Sequence, residues 1–340
     1  MPVVPITTEP AVTLEDIKQA QRRLRDIAVR TPLVEFPLPE EKDGRRLLLK
    51  PENLQPIGSF KLRGAYNKIA SLSLDERRRG VIAYSSGNHA QGVAYAARAL
   101  GVHAVIVMPK NAPAIKRDST ASMGAELVFV GPGSEERQQK AEELAAKHGY
   151  VIVPPYNDRA IAAGQGTIGL EILEDLPDVE LVLTPLGGGG LTGGTATAIK
   201  LSREMNSSSR RKTYVFGVEP ELAADGLASL SAGHVVQWSA DKTTRTIADG
   251  LRTQSVGDIT FSLIRRYLDG IVTVSEDEIR EALRRIVALG DPKIAAEPSG
   301  AVSVAGFLSH RDQLPDTKIN VAVISGGNIS PETLADILKQ

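Results

Sequence analysis

Gly58-Ser59-Phe60-Lys61-Leu62-Arg63-Gly64-Ala65 places one lysine among glycine, small and apolar neighbours. Such a composition suits a buried turn running into a helix, whereas most lysines sit on solvated faces. A lysine held in apolar surroundings loses its preference for the ammonium form, and the free amine can then attack a carbonyl. An ordinary loop lysine would read the same way over these eight residues, so the rest of the chain has to decide.

Around this segment, short β-branched runs alternate with amphipathic helical patterns, which predicts an α/β fold with a mainly parallel sheet. Expected strands include 46–50, 80–85, 102–108, 127–130, 181–186, 215–218, 271–274 and 319–324. Expected helices include one capped by Thr13, with Asp16 closing a capping box, and others over 90–100, 114–123, 134–148, 168–176, 194–205 and 276–289. A compact lobe, residues 74–155, is expected as an insertion into a larger one formed by 1–73 and 156–340.

Composition narrows the function classes. The chain has 340 residues, a formal net charge of −1, five scattered histidines and no cysteine. Disulfides, thiolate zinc sites and cysteine nucleophiles are thereby excluded, and the charge balance fits neither a nucleic-acid partner nor a membrane surface. The first ten residues do not read as a signal peptide, so a cytoplasmic enzyme is the default expectation.

Three loops at expected strand ends are rich in glycine and small polar residues, where open α/β sheets bind ligands. Ser85-Ser86-Gly87-Asn88-His89 opens a helix, and its backbone N–H groups suit an anion such as a substrate carboxylate; a plain helix cap is the alternative. Gly187-Gly188-Gly189-Gly190 carries a backbone entropy cost that close approach of a phosphate would explain. Gly188, Gly190 and Gly193 also satisfy the G-x-G-x-x-G pattern, with Glu219 placed for a ribose contact, so a nicotinamide oxidoreductase is the cross-class alternative. Ser325-Gly326-Gly327-Asn328 follows the last apolar strand, and its serine can hydrogen-bond a heterocyclic nitrogen.

Taken together, these segments resemble the serine/threonine dehydratase and serine racemase family of pyridoxal-phosphate enzymes, the fold-type-II, tryptophan synthase beta-like group. The resemblance runs from Thr31 to Asn328. It includes Pro51-Glu52-Asn53-Leu54-Gln55, Ala163-Gly164-Gln165-Gly166-Thr167, Thr246-Ile247-Ala248-Asp249-Gly250 and Glu297-Pro298-Ser299-Gly300-Ala301. It implies two domains, each an open, mostly parallel sheet flanked by helices. It further implies that Lys61 carries pyridoxal 5'-phosphate as a Schiff base and Phe60 packs beside it. Asn88 would bond the phenolic oxygen, Gly187, Gly188, Gly189, Gly190 and Leu191 would hold the phosphate, and Ser325 would face the pyridine nitrogen. Ser85, Ser86, Asn88 and His89 would surround the substrate carboxylate.

The implied activity is an ammonia-lyase that converts L-threonine or L-serine to a 2-oxo acid, with L-threo-3-hydroxyaspartate as the next candidate. A racemase with side elimination is the alternative, in which Ser86 serves the face opposite Lys61. A non-catalytic sensor on the same scaffold would not need the lysine and all three loops. The resemblance also implies a homodimer or homotetramer. The chain ends soon after Ser325, so no added regulatory domain is expected.

Glu219 and Asp225, six residues apart, could converge oxygens on a hard cation, although two acids at this spacing ordinarily mark a solvated turn. The resemblance implies Mg2+ or Ca2+ held by Glu219, the Ala223 carbonyl and Asp225 near the domain surface. It also places Arg137, Asn157 and Thr253 at the substrate end. There Arg137 could pair with a β-carboxylate, while its neighbours Glu135, Glu136 and Lys140 fit a solvated helical face equally well.

Overall fold

The computed structural model describes residues 11–38, 44–85, 87–112, 114–131, 133–205, 212–291 and 294–339. Strands are numbered β1 (Val34–Phe36), β2 (Arg46–Pro51), β3 (Val81–Tyr84), β4 (Ala104–Pro109), β5 (Glu126–Val130), β6 (Val151–Ile152), β7 (Leu181–Pro185), β8 (Tyr214–Pro220), β9 (Gly270–Val274) and β10 (Ile319–Ile324). They form a six-stranded sheet ordered β1-β2-β10-β7-β8-β9 and a four-stranded sheet ordered β5-β4-β3-β6. Among the described strands, only the β1–β2 pair is antiparallel.

Both sheets are covered on both faces, which explains why their strands read as continuous apolar runs. In the large sheet, Leu47, Leu49, Leu181 and Leu183 point into one core, while Leu48, Val182, Val321 and Val323 point into another. The small sheet divides likewise. Val81, Ala83, Ile106 and Met108 face one side, and Ile82, Val105 and Val107 the other. The helix Lys61–Ala70 puts Ala65, Tyr66 and Ile69 into the first of these small-sheet cores, where it packs on the helices Asn88–Ala99 and Arg159–Asp175.

Local signals set most element ends. Thr13 caps Leu14–Leu24 through a capping box with Asp16, and Ser275 caps Glu276–Val287 through Glu278. The helix expected over 168–176 starts earlier, at Arg159, where Asp158 accepts from the N–H groups of Ala160 and Ile161. Its glycines reflect packing. A Cβ on Gly164 would lie 2.6 Å from the Arg63 carbonyl oxygen, and one on Gly194 would lie 2.2 Å from that of Ala162. Three helices therefore cross backbone to backbone behind the site. Residues 206–211, most of an expected polar loop, lie outside the described residues.

Candidate active site

The lysine turn is stitched to the loop that follows β10. Ser59 forms a bridge with Gly326, the Phe60 N–H donates to the Ser325 carbonyl at 3.0 Å, and the Gly327 N–H donates to the Gly58 carbonyl at 3.0 Å. Gly58 has φ +72°, and a Cβ there would meet the Asn328 side chain at 2.2 Å, so this turn requires glycine twice over. Lys61 is the first residue of the following helix. Its Nζ points into a cavity of about 450 Å³ and donates to the Pro155 carbonyl at 2.6 Å. The residue keeps some exposure toward that cavity, yet burial of the amine holds its pKa down to about 8. The Phe60 ring centroid lies 5.2 Å from Nζ.

Every expected loop converges on this cavity. Gly187, Gly188, Gly189, Gly190 and Leu191 line it at the carboxyl end of β7, where the helix Gly190–Met205 begins. Gly189 has φ +86°, and Thr260 Oγ1 donates to the Gly188 carbonyl at 2.7 Å. A Cβ on Gly188 would strike the Tyr156 ring at 2.2 Å. Ser325 lines the cavity from the end of β10 and is buried, with Oγ 3.4 Å from the Ser299 carbonyl oxygen. Ser85, Asn88 and His89 line it from the β3–helix junction, and Ser85 Oγ accepts from the Gly87 N–H at 3.3 Å. Ser86 lies outside the described residues.

His89 has a narrower chemical role than the sequence allowed. Burial, and then the nearby Lys61 charge, push its pKa down to about 3, so the ring is neutral. A neutral ring 2.8 Å from the Val153 carbonyl oxygen donates through Nε2. Nδ1 is then an acceptor, so the side chain has no N–H left for a carboxylate; the backbone N–H groups at this helix start remain suited to one.

Of the three substrate-end residues, Arg137 and Thr253 line the cavity and Asn157 does not. Arg137 is half-buried, and burial lowers its pKa. Asn157 Oδ1 accepts from the Ile259 N–H at 3.0 Å, near the start of the helix Asp258–Tyr267, and the residue lines an adjoining hollow of about 260 Å³ that shares Tyr156 with the cavity. Its neighbour Tyr156 lines both the cavity and the hollow.

Several lining residues carried no functional expectation. Glu297 sits at the start of the helix Pro298–Ser309, and its Oε1 accepts from Asn88 Nδ2 at 2.7 Å. Lys116 and Asp249 pair at 2.9 Å across the cavity mouth. The sequence had marked Glu297 and Asp249 only as parts of family segments.

Glu219 is fully buried at the end of β8, and its carboxylate accepts from the N–H groups of Gly226 at 2.9 Å and Leu227 at 2.8 Å. These bonds turn it into the protein and away from a ribose, which removes the structural basis of the nicotinamide alternative. Asp225 is also fully buried, six residues on, so the pair lies deeper than the near-surface position expected. Burial, with the Asp225 charge second, raises the Glu219 pKa well above the carboxylate range. Burial also raises that of Asp225 to about 7. Both Asp225 carboxylate oxygens lack a partner in hydrogen-bonding geometry, although the Val256 N–H lies close enough to favour the charge somewhat. Ala223 ends the short turn between the two acids.

Residues 24–326 match the family described as Pyridoxal-phosphate dependent enzyme. The chain belongs to this family. The enzyme is 45% identical to the L-threonine ammonia-lyase of Thermotoga maritima over 97% of its own length and 79% of the relative's. It is 37% identical to the L-threo-3-hydroxyaspartate ammonia-lyase of Saccharomyces cerevisiae, covering 96% of each chain. Among solved structures, the maize serine racemase superposes with a TM-score of 0.87 at 33% identity, covering 97% of each chain. Among the described residues no helix is long and apolar enough to cross a membrane.

Proposed function

We propose that the enzyme is an ammonia-lyase that converts a β-hydroxy amino acid to a 2-oxo acid and ammonia, with L-threonine and L-serine as first substrates. The observation that carries this reading is the Lys61 amine, held near pKa 8 inside a cavity that also receives a glycine-lined helix start. These residues fit pyridoxal 5'-phosphate: an amine for its aldehyde, bare backbone N–H groups at 187–190 for its phosphate, and the Ser325 hydroxyl for its ring nitrogen. When bound, the cofactor supplies a conjugated sink for electrons released at the substrate Cα.

The protein's own groups do the rest. Backbone N–H groups opening the helix Asn88–Ala99 hold the substrate carboxylate. Lys61 Nζ, once free, takes the Cα proton, and a pKa near 8 keeps part of it as base near neutral pH. Loss of the Cα proton and the β-hydroxyl, followed by water replacing the amino group, balances to ammonia and the 2-oxo acid. Ser325 is a neutral partner for the ring nitrogen, which favours rapid expulsion of a β-substituent over a long-lived carbanion. Arg137 is the side chain that would receive a β-carboxylate, extending the range to L-threo-3-hydroxyaspartate. The small lobe, 74–155, is proposed to move against the remainder, and a homodimer or homotetramer is proposed for the assembly, tested by light scattering.

The deciding assay gives the cofactor-loaded enzyme each of the three amino acids and follows 2-oxo acid and enantiomer together. Predominant oxo acid is expected. Predominant D-enantiomer would make the enzyme a racemase and overturn the lyase reading.

Glu219, the Ala223 carbonyl and Asp225 are proposed to hold Mg2+ or Ca2+. Two buried carboxylates without a cation repel one another, and the unpartnered Asp225 oxygens fit a hard divalent ion. Millimolar Mg2+ or Ca2+ is expected to raise the thermal midpoint and chelator to reverse it; at a concentration 100 times Kd the stabilisation is about 2.7 kcal/mol. Glu219→Gln is expected to abolish the response. An unchanged wild-type midpoint in both conditions would remove the site.

A further inference from the structure

We propose that Glu297 is a positioning residue that locks the Asn88 side-chain amide with its NH2 group turned toward the ligand in the cavity. The proposal deepens the cofactor reading above and rests on it. The orientation follows from a chain of hydrogen bonds that begins at an atom whose role cannot change. Asn328 Nδ2 lies 2.8 Å from the Ile57 carbonyl oxygen, which can only accept, so this arm of Asn328 is the donor. The same Nδ2 lies 2.7 Å from the facing atom of Asn88, which must then be the acceptor, Oδ1. The other arm of Asn88 is Nδ2, and Glu297 Oε1 receives one of its hydrogens at 2.7 Å. One N–H of Asn88 is left over, on a residue that lines the cavity.

The pair spans 209 positions of sequence and joins the helix after β3 to the loop that carries Glu297. Space for it depends on Gly326, where a Cβ would lie 2.7 Å from Glu297 Oε1 and 3.1 Å from Asn88 Nδ2. Without Glu297 the amide would keep the Asn328 contact but lose the acceptor that fixes its second arm.

Charge matters as well as geometry. Glu297 is buried, and burial, followed by the Asp249 carboxylate, raises its pKa to about 8, with the Asn88 amide and then Lys116 opposing. Near neutral pH the group is mostly the uncharged acid. Its carbonyl oxygen still accepts the Asn88 N–H, and no second negative charge faces an anionic ligand oxygen. The leftover N–H is therefore free to donate to the oxyanion that the resemblance puts beside Asn88, the phenolic oxygen of pyridoxal phosphate.

The test is a cofactor titration of the full-length enzyme after removal of its cofactor, read by the yellow absorbance. Wild type must take up pyridoxal phosphate; failure there would overturn the cofactor reading and this proposal together. Glu297→Ala is expected to weaken binding about 10-fold, the effect of one lost orienting hydrogen bond. Glu297→Gln, which keeps an acceptor, is expected to stay within about 2-fold of wild type. In an Asn88→Ala background the Glu297→Ala penalty is expected to vanish, because the residue acts through that amide. Should the alanine cavity prevent folding, Glu297→Met fills the volume without an acceptor and carries the same expectation. Wild-type affinity in Glu297→Ala or Glu297→Met would overturn the proposal, and so would a full penalty persisting without Asn88.

Discussion

Lys61→Ala will form 2-oxo acid at least about 1,000-fold more slowly than wild type and will lose the yellow colour of the loaded enzyme. A positioned acid–base group contributes about 10²- to 10⁴-fold by itself, and this lysine is also the amine proposed to anchor the cofactor. The same variant gives a stability result with an opposite sign. Folded Lys61 has a pKa near 8, lowered by burial from 10.5, so folding disfavours its ammonium form. Between these values the unfolded chain binds a proton that the folded chain does not, and wild-type stability rises with pH across that window. Below it the full penalty remains. Cofactor-free Lys61→Ala should lack the rise and be no less stable than wild type near neutral pH, despite losing the bond to Pro155. Denaturant melts at several pH values beside the 2-oxo acid assay decide it, and substantial residual turnover would sink the assignment of Lys61.

Arg63→Ala is the substitution with the largest expected cost to folding, about 3–5 kcal/mol. The guanidinium is almost fully buried two residues after Lys61. It donates to Glu52 through Nε at 2.7 Å and Nη2 at 2.8 Å, and to Glu171 through Nη1 at 2.6 Å and Nη2 at 2.9 Å. Lys50 Nζ reaches the same Glu171 at 2.7 Å, and Thr31 Oγ1 donates to Glu52 at 2.9 Å. Burial opposes ionisation of Glu171, but Arg63 and then Lys50 hold its pKa below the usual carboxylate value. Removing Arg63 leaves two buried carboxylates with one cation between them. Urea unfolding should show the loss directly; a change under about 1 kcal/mol would mean that water enters and solvates the cluster. The network ties the end of β2 to the start of the lysine helix and to the helix Arg159–Asp175. Its disruption should therefore also weaken cofactor binding.

The two predictions draw on different kinds of information. The turn that carries Lys61 was legible because local residues build it: Gly58 sets the turn, and the helix begins at the lysine itself. The same holds for the loops at 85–89, 187–190 and 325–328, where glycines and helix starts announce themselves within five residues. Arg63 sits in that first segment too, but its partners Glu52 and Glu171 lie 11 and 108 positions away, and no local pattern links them. The stretch Ala163–Thr167 shows the converse. It precedes the helix expected over 168–176, yet it lies inside the helix Arg159–Asp175, whose crossings need glycine where a Cβ would meet a neighbouring backbone.

The sequence by itself determined the α/β class, the order of the cavity loops and the turn that carries Lys61, since strand runs, caps and glycine turns depend on residues a few positions apart. Tertiary structure decided which side chains meet. It put Tyr156 on the cavity wall, turned Glu219 inward beside Asp225, and set Glu297 against Asn88. Those choices depend on where the ends of two sheets come together, and on the burial that results, which no short stretch of chain encodes.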